Sequence, residues 1–484
     1  MFSSRLSRVV MPKTAKKSGG KKPAHPGKSD SSARICCLIA QRLLAAVLQQ
    51  GRPADRILRA MLRQNRVSGD RDRLLIRRTV FSLFRWWGWL HELAPARLAQ
   101  AQGQGEGRPA PDDGLPGARA DLRAWGPLLL AAQHLEWDVP PETAHAFARA
   151  AVRNPGRAKR LWSPNPPSAG NERMARMSPL LLGESRPSQS WRYSELIPEW
   201  SHALIHCPEP LETLVRWLQT EPPLWLRLQA EDEAGALREL REAGLQAEPH
   251  PASGLRAVAV RAGSTSIYRS PPFKRGLVEV QDLASQCIGA VCSPSPGQRW
   301  WDACAGAGGK TLLLASRMRG RGKVVASDIR DYKLQGLKLR ARRGNFQNIE
   351  ARPWDGRSVD RRRASFDGVL VDAPCSGSGT WRRNPDGRWG SSLQEVRRLC
   401  ELQLRILRNA ARAVRPGGVL VYATCSLFRC ENEDVVDAFL QAEEKFSLEP
   451  FPDPLQGGDT GGCFRIWPWT ADSDAMFAAR FRRG

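Results

Sequence analysis

The spacing of apolar residues divides the chain into two regimes. Over 35–153, apolar positions recur at helical intervals. Ile35, Ile39, Leu43 and Val47 fall on one face. Ile57, Leu58, Met61 and Leu62 make a second stripe, and Leu75, Leu83, Phe84 and Trp87 a third. Gly51-Arg52-Pro53 and Ser68-Gly69 punctuate them. Two more helices are predicted over 127–135 and 142–151, with Pro127 in a first turn, where proline is tolerated. A Gly/Pro-rich loop over 103–118 separates the halves. An all-α bundle follows, whose aromatic stripes read as core. Beyond 276 the pattern becomes an alternation. Strands are predicted over 299–304, 324–327, 366–372 and 419–424, with helices over 309–319, 331–343, 392–414 and 431–442. Such alternation specifies a parallel sheet covered on both faces, a Rossmann-like α/β domain.

The intervening segments are different. Residues 196–268 predict a small α+β module, with strands over 224–228 and 255–260 and a helix over 232–243. Residues 154–195, rich in Pro, Ser and Arg, read as a basic linker. Residues 1–34 hold nine basic residues and one acid, and nothing from which to build a core. The expected organisation is a basic disordered tail over 1–34, a helical domain over 35–153, the linker, the module, and a cofactor-binding domain over 269–484.

Composition narrows the partners. The 484 residues carry 74 Lys+Arg against 49 Asp+Glu, a formal charge of +25. A polyanion such as RNA is the simplest partner. Only 13 of the basic residues are lysine, and an arginine bias of that size also arises from a GC-rich genome. No run approaches 18 consecutive apolar residues, which argues against a membrane span. The eleven cysteines are odd in number and scattered, with no CxxC pair and no clustering with His. Reduced thiols are expected, with neither a disulfide framework nor a metal site. The opening MFSSRLSRVV has the Arg and Ser content of a transit peptide, but Met11 begins MPKTAKKSGGKK as a natural start. A cytoplasmic bacterial protein is expected ahead of a mitochondrial one, and a monomer.

The candidate chemistry lies at the strand ends of the α/β domain. The first strand runs into Asp302-Ala303-Cys304-Ala305-Gly306-Ala307-Gly308-Gly309-Lys310-Thr311. A Gly-rich turn between strand and helix lets backbone approach a ligand closely. A phosphate-binding loop would need glycine where Cys304 stands, so that reading falls. Asp328, 20 residues past Gly308 at the next strand end, suits hydrogen bonding to a ribose diol, as in NAD and S-adenosylmethionine enzymes. The turn lacks the full NAD fingerprint.

Two further strand ends carry thiols, in Asp372-Ala373-Pro374-Cys375 and Thr424-Cys425-Ser426. In open α/β sheets ligands sit outside the carboxyl ends of the strands. Small polar neighbours make buried structural cysteines a poor reading of both. An adenosyl cofactor beside a thiol suits methylation of pyrimidine carbon 5. That carbon becomes nucleophilic only after a thiolate adds at carbon 6, with an acid facing the ring nitrogen. The residues alone leave open which thiol attacks.

The motifs CAGAGGKT, SDIR, DAPCSGSGTWRRNPD and ATCS resemble successive motifs of the Sun/Fmu family of RNA cytosine-5 methyltransferases. Segments 276–286 and 465–468 agree, and the resemblance covers 270–484. The helical 35–153 region resembles the NusB-like RNA-binding domain attached to the family's bacterial 16S ribosomal RNA member. The resemblance implies that Cys304 to Lys310 cradle S-adenosylmethionine and that Asp328 holds its ribose. It puts Asp355 near the adenine and Asp372 between cofactor and target base. Cys425 becomes the nucleophile and Cys375 the product-release thiol. Small-subunit ribosomal RNA is the implied partner, with transfer RNA the competitor. A non-catalytic RNA-binding factor would be expected to have lost one of these groups. Arg382 and Arg383 are candidate clamps for RNA phosphates, though they could equally solvate a loop.

Two departures stand out. The family's Ala-Pro-Gly-Gly-Lys is Gly306-Ala307-Gly308-Gly309-Lys310 here, which removes no ligand group. Its Asp-Gly-Phe-Phe is Asp474-Ala475-Met476-Phe477, where Ala475 would be strained if positive φ were required.

Overall fold

The structure is a computed structural model. It describes residues 28–484 except 66, 68, 94–121, 137–141, 152–168, 182–186, 253, 262–265 and 358–364. The tail over 1–27, the loop over 103–118 and the first part of the expected linker lie outside the described residues.

The helical region begins earlier than periodicity suggests, with helix Lys28–Gln50 followed by Ala54–Gln64 and Asp70–Arg85. Helices Leu122–Glu136 and Glu142–Ala151 complete the expected set. Ile39, Leu43, Val47, Leu58, Met61, Leu83, Phe84 and Trp87 are buried together, as their spacing demands. The stretch Ser31–Gln50 is long and apolar enough to cross a membrane by length and composition, and half of it is buried inside the protein.

The expected linker is in part core. Helix Gly170–Leu181 buries Met174 and Met177, and Trp191 and Tyr193 follow them inside. Helix Leu211–Leu218, expected in the α+β module, places Leu214, Val215 and Leu218 in the same core. That core also takes Trp381, Val396, Leu427 and Phe428 from the α/β domain. The helical region and the α/β domain therefore share buried surface.

The small module is a four-stranded antiparallel sheet, ordered β2-β3-β1-β4. Its strands are β1 (Leu224–Leu228), β2 (Gln246–Pro249), β3 (Ala257–Arg261) and β4 (Val278–Val280). β4 lies past the expected boundary at 268.

The large sheet holds four predicted strands: β5 (Arg299–Asp302), β6 (Lys323–Asp328), β8 (Phe366–Asp372) and β9 (Val414–Thr424). It adds β7 (Ile349–Pro353), β10 (Phe446–Leu448), β11 (Cys463–Ile466) and β12 (Met476–Arg483). The order is β10-β12-β9-β8-β5-β6-β7, with β11 paired on β12. β7 through β9 run parallel and β12 pairs antiparallel with β9. Helices Gly309–Arg317, Asp331–Arg343, Leu393–Ala411 and Glu433–Ala442 make the crossovers. The carboxyl ends of β5, β6, β8 and β9 lie at one edge, which becomes the site.

Candidate active site

The Gly-rich turn leaves β5 at Asp302. Gly306 and Gly308 both take positive φ, at 53° and 88°. A Cβ on Gly308 would lie 2.6 Å from Leu337, so packing as well as backbone requires glycine there. A Cβ on Gly306 would meet nothing within 4 Å, so the loop presents bare backbone to open space. The Gly306 amide donates to Asp328 Oδ2 at 2.9 Å. Missing Pro does not disorder this turn: Ala305 donates to Ser327 O, and Arg340 donates to Ala307 O.

Asp328 accepts from the Arg330 amide and Nε on Oδ1 and from Arg330 Nη2 on Oδ2, all within 3.0 Å. Burial alone would raise its carboxyl, but these bonds outweigh burial and hold it below the usual range. Beside it, Ile329, Pro353, Trp354 and Asp355 bound a cavity of about 310 Å³. Ile329 is 71% exposed, and Trp354 is fixed edge-on to Trp301 at 4.8 Å. Sequence reading named Asp355 but missed this apolar shelf. The signal was there: an isoleucine just past the acidic strand end.

Asp302 is fully buried. Thr311 Oγ1 donates to its Oδ2 at 2.7 Å. Burial pushes its carboxyl up to about 7. A raised carboxyl stabilises the fold most below its unfolded value of 3.8, and that contribution is lost as pH rises through about 7. The Asp302→Asn variant should therefore gain melting temperature relative to the wild type between pH 4 and pH 7.5. A constant difference in a pH series of thermal melts would refute this.

Lys310 Nζ donates to Asp372 Oδ2 at 2.7 Å. Burial works against the lysine's charge, but the contact with Asp372 outweighs it and holds Lys310 above its ordinary range. Adjacent parallel strands then deliver the thiols. Asp372 of β8 stands opposite Ala423 of β9, and each chain turns three or two residues later into its cysteine. Cys375 Sγ and Cys425 Sγ come to 3.4 Å. The contact with Cys425 and burial raise the Cys375 thiol well above its ordinary range. Cys304 is also raised, by burial. A groove of about 480 Å³ runs from Gly51-Arg52-Pro53 of the helical region to Cys375, Ser376 and Gly377.

Arg382 and Arg383 are not placed as phosphate clamps. Arg382 is 1% exposed, and its guanidinium is taken by Ser473 O, Thr220 and Asp472. Arg383 is held by Asp282, Asp474 and Pro223 O. Both turn inward because buried carbonyls and carboxylates behind the loop need donors. Ala475 is not strained, since positive φ falls on Asp472 instead, and the Ala475 amide donates to Gly379 O. Among the described residues no group of three or more His, Cys, Asp or Glu could hold a metal.

A mixed sheet with a parallel centre, this turn, this acid and the adjoining cavity have the layout of an S-adenosylmethionine-dependent methyltransferase. Bare backbone at Gly306 fits a polar ligand lying over the loop.

The comparisons name the family. The model for 16S rRNA methyltransferase RsmB/F matches residues 290–482. The ribosomal RNA small subunit methyltransferase B of Xylella fastidiosa is 30% identical over 459 residues, which cover 92% of this chain and 96% of that protein. The chain belongs to the RsmB/F family of methyltransferases, and S-adenosylmethionine is its cofactor. The crystal structure of PH0851 shares the fold, with a TM-score of 0.68 at 23% identity over 96% of this chain and all of that one. The structure of NSun6 from Pyrococcus horikoshii with SFG matches at a TM-score of 0.50 and 17% identity, over 59% of this chain and 97% of that one.

Proposed function

We propose that this protein methylates carbon 5 of a cytosine in small-subunit ribosomal RNA, through a covalent adduct with Cys425. The observation carrying the reading is the pair of thiols 3.4 Å apart beside the Lys310–Asp372 pair. When bound, S-adenosylmethionine supplies an electrophilic methyl group. The 304–310 turn holds its polar body, Asp328 its ribose hydroxyls, and the Ile329–Trp354 shelf its adenine, with Asp355 at the rim.

The target cytosine must be unpaired or flipped out to reach the thiols. It enters by the groove between Arg52 and Cys375. Cys425 adds as thiolate to carbon 6, which turns carbon 5 into a nucleophile. Asp372, held by Lys310, meets the ring nitrogen and stabilises the adduct. After methyl transfer a base takes the carbon-5 proton, the freed electron pair restores the C5–C6 double bond and expels Cys425 as thiolate, and Cys375 assists release of the product. The site acts without a metal, on RNA, in the bacterial cytoplasm, and the chain works as a monomer. The helical region, as a NusB-like domain, and the basic tail add salt-sensitive affinity for RNA.

Unmodified 16S and transfer RNA, each incubated with enzyme and labelled cofactor, test the reading. It expects 5-methylcytosine in 16S RNA by nucleoside mass spectrometry. Methylation confined to transfer RNA, or at another atom, would overturn it.

Arg330 gives a second test of the cofactor assignment. All four lone-pair positions of Asp328 are already filled, two by the Arg330 guanidinium. Ribose hydroxyls must displace that half-exposed side chain. The Arg330→Ala variant should bind cofactor up to about 5-fold more tightly by calorimetry, since an ion pair with a half-exposed arginine is worth up to about 1 kcal/mol. Weaker binding would mean that Arg330 instead orients Asp328.

A further inference from the structure

Glu431 does no chemistry in the mechanism above, yet it touches both cysteine loops. It ends a short turn, Arg429–Glu431, and is completely buried. Its carboxylate collects four hydrogen bonds. Ser376 N donates to Oε1 at 2.8 Å and Gln403 Nε2 to the same oxygen at 2.9 Å. The hydroxyls of Ser376 and Ser426 both donate to Oε2. Ser376 follows Cys375 and Ser426 follows Cys425. Gln403 Nε2 also donates to Pro374 O at 3.0 Å, on the other side of Cys375.

All four donors are neutral groups. A buried charge is expensive unless such bonds surround it. A residue whose only task was to fill this space would be cheaper as an apolar side chain. What the carboxylate does, and an apolar group could not, is add ties right beside both cysteines to two loops otherwise joined by the Gly379 amide to Cys425 O and by serine hydroxyl contacts. Tyr422 locks the other end, donating to Glu431 O at 2.6 Å.

We propose that Glu431 is the positioning residue of the two-thiol site: its carboxylate ties the loop after β8 to the loop after β9 and so sets the distance between the two sulfurs. The inference rests on the covalent reading of the preceding section. Asp372, Lys310 and the cofactor turn are held by other bonds and keep their places without it. Loss of the tie should therefore slow the chemical step and leave both ligands bound.

The experiment uses the full chain with three changes: Glu431→Ala, Glu431→Gln, and the double variant Ser376→Ala/Ser426→Ala. Methylation of 16S RNA gives kcat and KM, and calorimetry gives the cofactor Kd. Adduct formation is followed in a Cys375→Ala background. Displacement of reacting groups by about 1 Å costs about 100-fold in rate, so Glu431→Ala should lose about that in kcat, with KM and cofactor Kd within about 3-fold of wild type. Glu431→Gln keeps one accepting oxygen and should recover at least about 10-fold of the loss. The double variant leaves the carboxylate in place and cuts two of its four bonds, so its kcat should fall as well. Wild-type kcat in Glu431→Ala would overturn the proposal. So would kcat falling together with cofactor binding, if the double variant keeps wild-type kcat. Failure of the covalent reading is distinguishable. In that case the Cys375→Ala background yields no adduct with any variant, while the kcat losses still report positioning.

Discussion

A Cys375→Ala enzyme should stay joined to its RNA on a denaturing gel, and a Cys425→Ala enzyme should form no adduct at all. The two sulfurs are within contact distance, so geometry gives either one access to carbon 6. Their surroundings differ. The Cys375 thiol is raised by its contact with Cys425 and by burial, which favours its protonated form. A protonated thiol is a poor nucleophile and a serviceable proton partner. Removing Cys425 should therefore cost at least about 10⁴-fold in methylation, the scale on which other covalent enzymes lose activity with their nucleophile. Removing Cys375 should leave attack and methyl transfer intact and slow the final expulsion, so adduct accumulates. Trapping by Cys425→Ala with none by Cys375→Ala would reverse the assignment.

The second large effect is on stability. Arg388 is fully buried and has no carboxylate partner among its hydrogen bonds. Its guanidinium donates to Arg85 O, Leu196 O, Leu218 O, Gln219 Oε1 and Trp381 O. Burial, then the nearby charge of Arg85, lowers its pKa well below the arginine range. These five acceptors come from the third helix, the middle segment and the catalytic domain. One side chain thus satisfies carbonyls that three parts of the chain bring together. Arg388→Ala strands those acceptors and opens a cavity. It should cost about 3–5 kcal/mol. In a protein of this size that is a fall of about 3–5 °C in melting temperature. Arg388→Lys should recover little, because an ammonium offers three donors without the planar fork. A fall below about 2 °C for Arg388→Ala would show that water replaces the guanidinium freely.

Much of the site was legible because its parts are local. A strand, a glycine turn and a helix are consecutive in 299–317, and each has its own signature. The same holds for Asp328 at a strand end and for the two cysteines just past theirs. Three late strands were not legible, since β10, β11 and β12 are short and gain their register only from β9. The reading of Arg382 and Arg383 failed for a related reason. Nothing in a loop sequence reveals carboxylates 90 residues away at Asp472. Glu431 was missed because one acid in the run Glu431-Asn432-Glu433-Asp434 at a helix start looks like any solvated charge until four donors close on it.

The sequence by itself determined the alternation of strand and helix, the glycine turn, the acid at the second strand end and the two thiols, because these follow from periodicity and from chemistry carried by neighbours in the chain. Only the tertiary structure decided that the helical region shares a core with the α/β domain and that Arg85 and Arg382, 297 residues apart, meet there. It also decided that the two sulfurs sit in contact with one buried carboxylate behind them. Those outcomes depend on where desolvated donors and acceptors find partners, and that is settled only when distant segments pack.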